Sequence, residues 1–138
     1  MKRKYKILIM IVIMITVFAL FWYLKPYPPM DEVEYIFSDN NEVDIDDKNW
    51  LTFKQAGKET NIGFIFYPGA RVQPRAYAPL AYDIAKSGYK VVIVPMPLNL
   101  AVFGVNRAES VMNRYDEITD WVIGGHSLGG AMAARYQD

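Results

Sequence analysis

From Ile7 to Leu24 the chain runs through 18 residues with only Thr16 as a mild polar exception. As a helix this stretch rises about 27 Å at roughly 1.5 Å per residue, close to the ~30 Å hydrocarbon core of a bilayer. Few soluble folds can absorb a helix that is apolar on every face. Trp22 and Tyr23 stand at its far end, where amphipathic rings favour the headgroup zone. Lys2, Arg3, Lys4 and Lys6 precede it with no acid among them. The positive-inside rule then predicts a single-pass membrane anchor over residues 1–24, its amino end cytoplasmic and the remainder extracytoplasmic. A cleaved signal peptide is the competing reading. It would have a shorter apolar core and small residues after it, whereas bulky Phe21-Trp22-Tyr23-Leu24-Lys25 follows here.

The zero net charge of the 138 residues is a cancellation between unlike segments. Residues 1–6 carry +4, Lys25 adds +1, residues 31–47 carry −8 and residues 48–138 carry +3. No part of the folding segment is basic enough for nucleic-acid binding. Zero cysteines exclude a disulfide framework, a thiolate metal site and a cysteine nucleophile. His126 is the one histidine, so two-histidine zinc motifs are excluded as well. Asp44-Ile45-Asp46-Asp47 lacks EF-hand spacing and a closing glutamate. No cofactor and no metal are expected.

Residues 25–47 read as a Pro-rich and acidic linker. Lys25-Pro26-Tyr27-Pro28-Pro29 favours an extended stalk, followed by a solvated spacer or by an edge strand near Val33–Phe37. Residues 48–138 then alternate strand and helix. Trp50–Phe53 is β-prone, and Ile62–Tyr67, Tyr89–Val94 and Trp121–Gly124 are short apolar runs suited to strands buried on both faces. Tyr77, Leu80, Ala81, Ile84 and Ala85 share one helix face, with Gly88 as its C-terminal cap. Ala108, Val111, Met112 and Tyr115 repeat the spacing, and 128–136 predicts a last helix. Pro95–Asn106 is apolar but broken by Pro and Gly, so it reads as a loop over the site or the early turns of the second helix. The order implies a parallel β-sheet flanked by helices.

Gly125-His126-Ser127-Leu128-Gly129 fits G-x-S-x-G between a strand and a helix, and Gly130 extends it. A serine nucleophile needs a sharp, strained turn at the carboxyl end of a strand, and glycines let strand and helix close on that turn. Ser127 is the candidate nucleophile. The Leu128 N–H, opening the helix, is one candidate oxyanion donor, helped by the helix dipole. The second is expected from the loop after an earlier strand, at Ala70 or Arg71.

These residues carry a family resemblance. Tyr67-Pro68-Gly69-Ala70, Ala76–Ala81, Gly88–Val94 and Gly124–Gly130 are similar to the N-terminal portion of an α/β-hydrolase domain, in the bacterial esterase or dienelactone-hydrolase-like branch. The resemblance implies a serine hydrolase acting on an ester or similar acyl bond of a small molecule. Dienelactone hydrolases proper carry cysteine at the elbow, so Ser127 points to esterase-type chemistry.

In this family the acid and the histidine base follow the nucleophile in the chain. Residues 131–138 hold no histidine, and Asp138 is too near Ser127 to be a convincing acid. His126 adjoins Ser127 on a turn that aims consecutive side chains apart, so its expected role is packing or hydrogen bonding beside the elbow. Asp116, Glu117 and Asp120 read as a solvated face. The expectation is a hydrolase truncated after the elbow and inactive alone, its missing residues lying further on or on a companion chain. The alternatives are a non-catalytic remnant acting as a membrane-anchored scaffold, and acyl transfer to an alcohol instead of water.

Overall fold

In the computed structural model, residues 3–38 and 41–137 are described. Lys2 and Asp138, named above, lie outside them, as does Asp39 of the acidic stretch. Helix α1 spans Arg3–Tyr23, and none of its residues is buried. At 21 residues it is long and apolar enough to cross a membrane.

The segment expected as a free stalk and spacer is instead built into the body. Tyr27 pairs with Val72 in an isolated parallel bridge. A single-turn helix over Asp31–Glu34 leads into α2, Tyr35–Ser38. Val33 and Ile36 from these turns are buried in the core. Their i, i+3 spacing puts both on one helical face, which an edge strand would have split. Strand β1, Val43–Asp46, follows and alternates a buried Val43 with exposed Asp44 and Asp46.

Strands β2 (Leu51–Gln55), β3 (Ile62–Tyr67), β4 (Lys90–Ile93) and β5 (Asp120–Gly125) complete a five-stranded sheet in the order β1-β2-β4-β3-β5. β4, β3 and β5 are mutually parallel, as the alternating pattern predicts. β2 joins the β4 edge antiparallel and β1 pairs antiparallel with β2, so the sheet is mixed. The tight polar turn at Gly57 allows nothing between β2 and β3 that could serve as a crossover helix.

Helix α3, Ala78–Lys86, covers one face. It stops at Gly88, whose φ of +98° lets its N–H close on the Ala85 carbonyl at 2.9 Å. Helices α4 (Arg107–Met112) and α5 (Leu128–Gln137) cover the other. α4 ends before Tyr115, which the spacing had included. That ring packs instead between Trp50 and Trp121. Residues 95–106 form a loop with two single-turn helices, separate from α4.

The period-two rule divides the core cleanly. Phe53, Phe66, Val91 and Ile93 face α3, together with Val33 and Ile36. Ile65, Tyr67, Val92 and Val94 face α4 and α5. Each such side chain stabilises the fold by about 1.5–3 kcal/mol through burial.

Candidate active site at the carboxyl edge of the sheet

β3 and β5 are neighbours, and their last residues, Tyr67 and Gly125, are in register. The chain after each strand therefore leaves the same edge. One more hydrogen bond, from the His126 N–H to the Tyr67 carbonyl at 3.1 Å, carries the pairing into the turn.

Ser127 follows with a φ of +51°. A side chain in this left-handed region costs about 1–2 kcal/mol, and such strain collects at functional sites. The residue is exposed, and its Oγ makes no hydrogen bond among the described residues. α5 begins at the next residue.

Two glycines allow the turn to be this tight. A Cβ on Gly129 would collide with the Tyr67 and Pro68 carbonyl oxygens. One on Gly125 would collide with the Tyr67 carbonyl oxygen and lie 2.7 Å from the Gly129 backbone. Helix α5 thus rests directly on the end of β3.

The Leu128 N–H at the start of α5 and the Ala70 N–H in the loop after β3 donate to no partner among the described residues. Arg71 is different. Its N–H donates to the Asn99 carbonyl at 2.7 Å, so of the two donors considered after β3 only Ala70 is free. The Leu128 N–H stands uncommitted at the positive end of α5, directly after Ser127.

His126 is exposed, and its Nδ1 lies 3.0 Å from the Tyr77 hydroxyl. The same hydroxyl accepts the buried Gly69 N–H at 2.9 Å. Tyr77 thereby ties together the two loops that flank Ser127. Its ring is held by Phe66, with centroids 4.8 Å apart. The sequence reading placed Tyr77 on a helix face as core. The available signal was a hydroxyl at the tip of an otherwise apolar stripe.

Asp116, Glu117 and Asp120 lie at the amino end of β5, away from Ser127. All three are exposed; Glu117 pairs with Lys90, and Asp120 accepts a hydrogen bond from the Thr119 hydroxyl at 2.7 Å. Lys90 holds the Glu117 carboxyl below its ordinary value. Among the described residues, no group of three or more His, Cys, Asp or Glu side chains is placed to hold a metal ion.

No curated protein and no solved structure gives a match to this chain. A family model does match, over residues 63–138, from β3 to beyond the elbow, and that model describes the alpha/beta hydrolase family. The match takes in more than half of the 138 residues, and the chain therefore belongs to the alpha/beta hydrolase family.

Proposed function

We propose that the chain is a membrane-anchored serine hydrolase of an ester or similar acyl bond. One observation carries the reading. Ser127 is an exposed hydroxyl in a strained strand-to-helix turn, at the sheet edge where the uncommitted Leu128 and Ala70 N–H groups also stand after strands that end in register. Ser127 Oγ attacks the acyl carbon, and the Leu128 and Ala70 amides stabilise the oxyanion. The acyl-serine that forms as the alcohol departs is then cleaved by water.

The attack requires a base for the Ser127 proton. His126 does not fill that role, because its Nδ1 is directed at Tyr77 and no hydrogen bond joins it to Ser127. Among the described residues no base and no orienting acid is hydrogen-bonded to Ser127 Oγ. Without them the rate falls by several powers of ten, although oxyanion stabilisation leaves residual reactivity.

The same reading places α1 across a bilayer with its cationic end cytoplasmic. The exposure of every apolar side chain on α1 supports this.

A fluorophosphonate probe tests the catalytic assignment on the membrane-embedded protein. Labelling that maps to Ser127 and vanishes in Ser127→Ala supports it. A folded protein that carries the base yet takes no label overturns it.

A further inference from the structure

The carboxyl edge of the sheet is joined to the exit of α1. The Arg71 guanidinium lies 4.4 Å from the Tyr23 ring centroid and 4.8 Å from that of Tyr27. Its terminal nitrogen donates to the Lys25 carbonyl at 3.4 Å. The Tyr27 N–H donates to the Arg71 carbonyl at 2.6 Å, and the Gln73 N–H donates to the Tyr27 carbonyl at 3.0 Å. Lys25–Tyr27 is therefore no free tether. It fastens the last turn of the apolar helix to the loop that carries Ala70.

The neighbouring loop is fixed to the same point through the Arg71–Asn99 hydrogen bond. That loop turns outward. Leu98 and Asn99 take φ values of +52° and +55°, a strained pair of left-handed non-glycine residues. Leu98 is 63% exposed, Val102 45% and Phe103 60%. Residues 68–77 and 95–107 contain no carboxylate, and they include Arg71 and Arg107. Apolar tips among cations, beside a membrane helix, have the composition of an interfacial contact.

We infer that this edge rests on the bilayer surface, with Leu98, Val102 and Phe103 entering the interfacial zone, and that the site takes a membrane-borne acyl ester such as a lipid. The surface contact stands on the placement of these residues. The substrate class rests on the hydrolase reading above. A site whose mouth lies within a few residues of the lipid headgroups receives its acyl carbonyl from the membrane plane.

The absence of cysteine permits single-site labelling of the full chain. Leu98→Cys, Phe103→Cys and Lys58→Cys would each carry a nitroxide in vesicles of phosphatidylcholine and phosphatidylglycerol. Lys58 lies on the turn at the opposite end of the sheet. The expected result is oxygen-favoured relaxation at 98 and 103, as in lipid, and chelate-favoured relaxation at 58. Chelate-favoured relaxation at all three overturns the contact. So does spin–spin broadening at 103, which would show a second copy on this face.

For the substrate, Phe103→Glu should lower the ratio of vesicle-borne to short soluble ester turnover by about tenfold, the loss of one interfacial aromatic. An unchanged ratio overturns the substrate class. Lipid-side relaxation without fluorophosphonate label on Ser127 removes the hydrolase reading and leaves the surface contact standing.

Discussion

The Tyr77 hydroxyl lies 3.0 Å from His126 Nδ1 and joins the loop after β3 to the turn after β5. Because it also accepts the Gly69 N–H, its one proton is free for the imidazole. Tyr77→Phe keeps the ring packed on Phe66 but leaves the buried Gly69 N–H unpaired. The expected loss is about 1–3 kcal/mol in a urea titration. The rate of fluorophosphonate labelling should fall as well, because the Ala70 amide next to Gly69 loses its fixed aim.

Ser127→Gly separates stability from chemistry. Glycine removes the penalty of a side chain at a φ of +51°. The variant should be more stable by about 1 kcal/mol and take no probe. Thermal unfolding of both proteins in the same micelles checks this.

Two glycine substitutions should differ sharply. Gly129→Ala drives a methyl into the carbonyls of Tyr67 and Pro68, which are backbone atoms and cannot rotate away. A loss of about 3 kcal/mol or more is expected. Gly57→Ala meets nothing within 4 Å and suffers only its φ of +67°, so about 1–2 kcal/mol is expected. Equal urea midpoints for the two would show that α5 does not rest on β3.

Acid should weaken the fold in a defined direction. The Glu117 carboxyl is held below its ordinary value of 4.5 by Lys90, and Glu42 by Lys86 and Tyr82. Both contributions are complete above the unfolded carboxylate value and are lost as pH falls through the lower folded values. Half the Glu117 side chain faces water, so its share is under about 1 kcal/mol. Glu117→Gln should flatten that part of the stability–pH curve below the ordinary carboxylate value and leave the neutral slope unchanged.

Tyr67 carries a buried polar contact that an apolar strand conceals. Its hydroxyl donates to the Val105 carbonyl at 2.6 Å and accepts the Ala108 N–H at 2.8 Å. Burial pushes the phenol above its ordinary value. Tyr67→Phe orphans both backbone groups, and about 2–3 kcal/mol should be lost in chemical denaturation.

The strands Ile62–Tyr67, Lys90–Ile93 and Asp120–Gly125, and helices α3 and α5, were legible because their apolar spacing is local. The turn at Ser127 was legible because glycine on both sides is what close packing demands. β1 was hidden for the opposite reason. Its alternation is Val-Asp-Ile-Asp, and its acids merge with the charge of the surrounding stretch. Val33 and Ile36 were equally masked, since only tertiary contact distinguishes a buried pair from two apolar residues in a solvated spacer. The Arg71–Tyr27 ladder and the Tyr77–His126 contact join residues 44 and 49 positions apart. No window along the chain contains either.

The placement of β3 also fixes an order of events in folding. It lies between β4 and β5 in space but precedes both in the chain. The Gly63–Lys90 pair closes a loop of 27 residues, and the Ile62–Asp120 pair closes one of 58. The nearer closure is the less costly, so β4 is expected to dock before β5. Until β5 arrives, the Tyr67 carbonyl has no His126 amide and α5 has no strand end to stand on. The strained turn at Ser127 is then among the last features to form.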